Sequence, residues 1–116
     1  MRIIGLGSFL PQKILTNKEI QNNVDTTDEW IFSKLGIKER RIASDSQKTS
    51  DLGFEAAKRA LANCNKTIDE IDLIITTTST PDKKSPSTAC IIQGKFNKTE
   101  IPAFDLNAVC SGFVYG

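Results

Sequence analysis

Histidine is absent from all 116 residues. That removes the side chain that most often acts as a base near neutral pH and the commonest nitrogen ligand of zinc. A Cys–His nucleophile pair therefore cannot be assembled from this chain. Cysteine is scarce as well. Cys64, Cys90 and Cys110 are an odd number at wide spacing, which fits neither a metal-ligand motif nor a disulfide framework. Reduced thiols in a reducing compartment are the expectation. No apolar run approaches the ~18 residues of a membrane span, and the amino terminus lacks the form of a signal peptide. A cytoplasmic protein is expected on these grounds. Charge of either sign is not in excess. The net value is +1, which argues for neither nucleic acid nor an acidic surface as partner. Trp30 is the only tryptophan.

What is present is ordinary for a globular chain, 39% hydrophobic and 25% charged, in a length that suits one domain. Residues 2–10 read as a buried strand loosened by Gly5 and Gly7, which mark a bulge or a close backbone approach. Thr16 to Glu19 matches a capping box and predicts a short helix to about Asn22. Thr26 to Glu29 matches a second, opening a helix that runs to Leu35 and stops at Gly36, with Ile31 and Leu35 inward. Thr49 or Ser50 is expected to cap a longer helix to about Cys64. Its small residues Ala56, Ala57 and Ala60 imply close packing against a sheet or another helix. Thr67 to Glu70 is a third capping box, for a single turn. Leu73 to Thr78 is apolar and β-branched without alternation, the pattern of a strand covered on both faces. A polar loop with Pro81 and Pro86 leads to a helix capped by Ser87, and residues 102–106 form the last strand. The alternation of strands and helices predicts an α/β layered fold with mostly parallel strands.

Two places carry chemistry. Cys110 lies just after the last strand, among the small residues Ala108, Ser111 and Gly112, where Phe113 to Tyr115 begin a new element. A thiol at a strand-to-helix turn suits a nucleophile, because N–H groups at a helix start favour thiolate. In parallel sheets, moreover, ligands gather beyond the carboxyl ends of strands. The competing reading is a small cysteine that packs as a hydrophobe. Trp30 lies one helical turn from Lys34, close in sequence to Lys38, Arg40 and Arg41. An aromatic face with cations nearby suits a nucleotide, whose base stacks while its phosphates meet the charges. The competing reading is a half-buried tryptophan among solvated lysines. The lack of a histidine, and an ending in the apolar run Phe113 to Tyr115, lead us to expect a longer protein, of which residues 1–116 are an incomplete domain.

Four stretches resemble β-ketoacyl-acyl-carrier-protein synthase III, the condensing-enzyme family that starts fatty-acid synthesis. They are Ile4 to Pro11, Asp25 to Ile31 continuing through Gly36 to Arg40, Gly53 to Ala57, and Pro102 to Leu106 through Cys110 to Phe113. The first alone would be weak, whereas the stretches around Trp30 and Cys110 together are specific. The resemblance implies a thiolase-like fold, layered α-β-α-β-α, with only part of its N-terminal half present in this chain and the C-terminal half absent. It implies a homodimer that uses short acyl-coenzyme A and malonyl-acyl-carrier-protein as substrates. No separate cofactor is implied, coenzyme A entering as a substrate thioester, and neither nucleic acid nor membrane is an implied partner. Cys110 aligns with the family's nucleophile. Trp30 aligns with the tryptophan that stacks on adenine, and Thr26 lies on the same binding surface.

Three departures accompany the likeness. Lys34 stands where an arginine often packs on the adenine, and lysine cannot stack as a plane. Ser85 stands where many members have a bulky residue lining the partner subunit's acyl pocket, which leaves room for starters beyond acetyl. The family's assisting His and Asn belong to the C-terminal half. Two alternatives remain at this point: a related ketosynthase of secondary metabolism, and a non-catalytic coenzyme-A-binding module.

Overall fold

The computed structural model describes residues 2–116. Among these the backbone gathers into two compact units, residues 10–46 and residues 2–9 with 47–116.

The first unit is built on an antiparallel ribbon that the sequence pattern did not signal. Strand β1 (Lys13–Thr16) pairs with β2 (Glu39–Ile42), Lys13 opposite Ile42 and Thr16 opposite Glu39. Both strands have only four residues, and β2 carries three charges, so neither shows the hydrophobic alternation that identifies a strand locally. Helix α1 (Asn17–Ile20) follows with the predicted capping box. The Thr16 N–H donates to Glu19 Oε2 at 2.8 Å, and the Glu19 N–H to Thr16 Oγ1 at 3.3 Å. It stops two residues short of the expected end. Helix α2 (Asp28–Leu35) ends as predicted at Gly36, whose φ of 68° is left-handed. Its cap is Thr27 rather than Thr26: Thr27 Oγ1 accepts the Trp30 N–H at 3.1 Å. Ile31 faces inward, but Leu35 is 60% exposed, contrary to expectation, because the helix buries a single narrow stripe.

In the second unit β3 (Ile74–Thr77) and β4 (Ala103–Leu106) form the expected parallel pair, Ile74 opposite Ala103 and Thr77 opposite Leu106. Helix α4 (Thr88–Lys95) connects them and packs on both strands, completing a βαβ unit. Helix α3 (Thr49–Asn63) packs on α4. Gly53 makes that contact possible, since a Cβ there would lie 2.8 Å from Ile92 Cδ1. Ala89, Ile92 and Ile101 form the buried apolar centre, and the Phe54 and Phe96 rings meet edge-on at 4.6 Å. The cap of α3 is one residue earlier than predicted. Lys48 donates its N–H to Asp51 Oδ2 at 2.8 Å, while Ser50 turns inward to another partner. The Thr67 box forms as predicted, on a single 3-10 turn (Ile68–Glu70).

Two strand readings need correction. Residues 2–10 join no ladder. They run as an irregular cord along α3, tied by Arg59 Nη1 to the Ser8 carbonyl and by Asn63 Nδ2 to the Leu6 carbonyl, both at 2.9 Å. Gly7 does allow a close approach, because a Cβ there would sit 2.2 Å from the Ala60 nitrogen. Hydrophobicity alone does not make a strand, which also needs an edge to pair with. Strand β3, for its part, is only partly covered: Ile74 to Thr76 are half-buried, and Leu73 and Thr77 exposed. Its apolar character asks for cover on two faces, and this chain supplies less than that.

Asp51 is held below the usual carboxylate range, first by the Lys95 ammonium at 2.7 Å and then by the Lys48 N–H. A carboxyl group depressed on folding adds stability above its unfolded pKa and loses it as pH falls through the folded value. Asp51→Asn should therefore lower the melting midpoint of the full-length protein near pH 7, and the difference from wild type should shrink as acidification carries the pH below the ordinary carboxylate range. A difference independent of pH in a melting series would contradict this. The 116 residues expressed alone should also self-associate, because Leu6, Phe104, Phe113 and Val114 are exposed apolar groups. A monomer in size-exclusion chromatography with a cooperative melt would count against that.

Candidate active site

Cys110 stands where the chain leaves the sheet. Pairing runs one step past the end of β3, with the Thr78 N–H on the carbonyl of Leu106, the last residue of β4, at 3.1 Å, and the backbone then departs beyond the carboxyl end of β4. Val109 adopts φ 48°, a left-handed conformation that a β-branched residue rarely takes. Residues Val109–Ser111 form one 3-10 turn, closed by the Ser111 N–H on the Ala108 carbonyl at 3.0 Å. Cys110 is the middle residue of that turn and is exposed. The other two cysteines differ. Cys64 Sγ lies 3.4 Å from the Leu61 carbonyl and Cys90 Sγ 3.5 Å from the Ala103 carbonyl, both half-buried and packed. Geometry thus sets Cys110 apart from its neighbours in kind. Helix α5 (Gly112–Tyr115) starts immediately after it, and Gly112 is buried so close to β3 that a Cβ would meet Thr77 Cβ at 3.2 Å.

The turn is held from upstream. Asp105, the third residue of β4, accepts the Thr88 N–H at 2.7 Å and the Ala89 N–H at 2.8 Å, one on each carboxylate oxygen. The start of α4 is thereby fixed to the strand that delivers Cys110. The loop after β3 is fixed in the same way. Asp82 takes the Ser50 N–H at 2.9 Å and the Ser50 hydroxyl at 2.6 Å, and Thr49 Oγ1 donates to the Thr80 carbonyl at 2.7 Å. Ser85 is exposed on this loop, followed by a cis peptide to Pro86.

Trp30, Thr26 and Lys34 belong to the other unit. Trp30 is 56% exposed on the first turn of α2, and Lys34 is exposed one turn later on the same side. Thr26 lies before the cap, half-buried, with a buried hydroxyl that has no hydrogen-bond partner. The basic residues that follow in sequence are engaged with other groups. Lys38 Nζ lies 5.3 Å from the centre of the Phe32 ring, Arg40 turns inward to Asn17, and Arg41 pairs with Glu39 at 3.3 Å. Of the cations named from sequence, Lys34 is the one that shares a helix face with Trp30.

Two features had no local signal. A left-handed residue before the cysteine would be looked for at Gly or Asn, not Val109. Asn17 is buried at 1% exposure in the middle of a polar network, yet in sequence it is an unremarked residue after a helix cap. Asp105→Asn tests the anchoring of the turn. An amide offers one acceptor oxygen for two N–H donors, so the substitution should cost about 2 kcal/mol of stability in denaturant titration. An unchanged midpoint would show that the carboxylate does not hold α4.

No family model matches the chain. Individual proteins match it closely. Over 114 residues it is 54% identical to β-ketoacyl-[acyl-carrier-protein] synthase III of Caldanaerobacter subterraneus subsp. tengcongensis, covering 98% of this chain and 34% of that protein. The crystal structure of 3-oxoacyl-[acyl-carrier-protein] synthase III from Aquifex aeolicus superposes with a TM-score of 0.92 at 47% identity, over 98% of this chain and 37% of that one. The priming β-ketosynthase of the R1128 polyketide pathway superposes at 0.91 with 34% identity, over 98% and 34%. The chain therefore spans about a third of the length of the curated relatives it matches. Its α/β architecture is the thiolase-like one of these structures. The likeness carried by the four motifs holds along nearly the whole chain, and the proteins it matches at about half identity are β-ketoacyl-acyl-carrier-protein synthases III, of which it covers about a third.

Proposed function

We propose that the protein carrying this chain is an acyltransferase that starts fatty-acid synthesis by decarboxylating Claisen condensation. The observation that carries the reading is the exposed Cys110 on a strained turn at the carboxyl end of a parallel strand, in a chain 54% identical to a synthase III. In the first step the Cys110 thiolate attacks the thioester carbonyl of a short acyl-coenzyme A. The carbon–sulfur bond to coenzyme A then breaks, and coenzyme A leaves as its thiolate, which takes a proton from solvent. A soft sulfur nucleophile suits a thioester, and the covalent acyl-enzyme divides one hard step into two easier ones. The Cys110 N–H, on the same turn, is suited to donate to the oxyanion that forms. In the second step malonyl-acyl-carrier-protein loses carbon dioxide, and the electron pair released attacks the acyl carbonyl. The bond to Cys110 Sγ breaks and the thiolate is regenerated. Trp30 is the platform for adenine, with Thr26 beside it and Lys34 directed at phosphate. The full-length protein acts in the cytoplasm as a homodimer.

A second reading, a priming ketosynthase of secondary metabolism, draws on the likeness to the R1128 enzyme. The two differ in acceptor and starter, and the exposed Ser85, small where a bulky residue is common, leaves longer starters open.

Incubation of the full-length protein with labelled acetyl-coenzyme A should place one acyl group on the Cys110 peptide, detected by mass analysis, and none on a Cys110→Ala variant. Absence of label, or label that survives the substitution, would refute the mechanism. Offering malonyl-acyl-carrier-protein against free malonyl-coenzyme A, with starters of rising length, separates the two readings.

A further inference from the structure

We propose that Asn17 is a positioning residue for the nucleotide end of coenzyme A, acting by locking helix α2 from both ends so that Trp30 is presented in one orientation. This rests on the reading of Trp30 as the adenine platform.

The starting point is how weakly apolar contact holds α2. The helix has two turns, a length of about 12 Å. Only Ile31, 4% exposed, is buried on it, whereas Phe32 and Leu35 are exposed. One buried side chain leaves a short helix free to rotate about its axis, because apolar contact has no preferred direction. Hydrogen bonds do have one. Asn17 Nδ2 donates at 2.7 Å to Asp28 Oδ1, in the first turn of α2, and at 2.7 Å to the carbonyl of Ile37, just past its Gly36 terminator. A single amide group therefore grips the helix at its beginning and beyond its end.

The amide cannot be turned round. Arg40 Nη1 has only protons to offer and meets Asn17 Oδ1, while the Ile37 carbonyl can only accept and meets Nδ2. Asn17 is fixed in turn by the ribbon. Its own N–H reaches the Lys38 carbonyl at 3.3 Å, next to the Thr16–Glu39 pair of the β1–β2 ladder. An open cleft of about 370 Å³, lined in part by Asn17, Asp28, Glu29 and Phe32, lies beside this network. Trp30 lies two residues after Asp28. A rotation of α2 by one residue's worth, about 100°, would carry the indole off its face altogether.

Kinetics on the full-length protein test this with two acyl donors, a short acyl-coenzyme A and the same acyl group on pantetheine, which lacks the nucleotide. Asn17→Ala should raise KM for the acyl-coenzyme A about tenfold, the equivalent of one lost charge-assisted hydrogen bond, and leave kcat/KM for acyl-pantetheine within about twofold. A merely structural defect would lower both. If Asn17→Ala does not fold, Asn17→Asp is measured instead. It has the same shape and keeps a partner for Arg40, but it cannot donate to Asp28 or Ile37, and it should show the same split. Adding Asp28→Asn to Asn17→Asp exchanges donor and acceptor and should recover part of the KM. Equal losses on both donors, no change on either, or no recovery in the double variant would overturn the proposal. Trp30→Ala separates it from the reading beneath it. If Trp30→Ala leaves KM for acyl-coenzyme A unchanged, the adenine platform itself is wrong. If Trp30→Ala raises KM and Asn17→Ala does not, only the positioning role of Asn17 fails.

Discussion

A half-buried carboxylate across the first turn of a helix is the constraint on which the Cys110 unit depends. Asp105 gives one oxygen to each of two N–H groups, on Thr88 and Ala89, that the helix cannot satisfy itself. A negative charge there is also favoured by the helix dipole. Asp82 does the same work at the start of α3, reaching Ser50 from the loop after β3. Each carboxylate therefore ties a helix to the strand or loop that leads into the candidate site. Asp105 lies on the strand that continues into the cysteine turn, so the cap that fixes α4 also fixes the base of that turn.

The three largest fully buried side chains are Asn17, Ser50 and Thr88, none of them apolar. All three stand in the first turn of a helix, with Asp28, Asp82 and Asp105 respectively as acidic partners at the side chain or backbone. The buried apolar set is scarcely larger, Ile31, Ala89, Ile92 and Ile101, and its isoleucines are less completely covered. Placement here is thus built largely from directional contacts, which hold an angle as well as a distance. Their sensitivity follows from the same chemistry, because removing one partner strands the other away from water.

This also explains what was legible in the sequence. The boxes at Thr16 and Thr67 were readable because both partners lie within four residues. The α2 cap was misread by one residue because Thr26 and Thr27 offer the same hydroxyl, and only the fold decides which faces the helix. The cap of α3 was misassigned because Ser50, a good cap by type, is taken by Asp82 from far along the chain. Residues 2–10 looked like a strand because their side chains suit one, but pairing is a non-local property. The β1–β2 ribbon failed in the opposite way: it has partners without the pattern. Among the site candidates, Cys110 was named from its place after a strand and Trp30 from its company of cations. The left-handed Val109 before the exposed thiol, and the Asn17 amide that holds Asp28 and Ile37, left no mark on composition or spacing.

The division between the two sites has a physical logic. A nucleophile must be accessible and yet held, and those demands conflict if burial is what holds it. Val109 and Gly112 resolve the conflict for Cys110 by backbone means. One turns the chain outward at φ 48°, and the other lets the following helix lie directly on Thr77. On the proposal that Trp30 is a stacking platform the same problem arises on a larger scale, since the indole has to stay open to solvent to receive a base. Burying more of α2 would steady the helix but cover the ring. Holding it instead through a buried amide at both ends leaves Trp30 exposed while its direction is set elsewhere. In both cases the exposed group contributes little to its own placement, which comes from the backbone and hydrogen bonds of its neighbours.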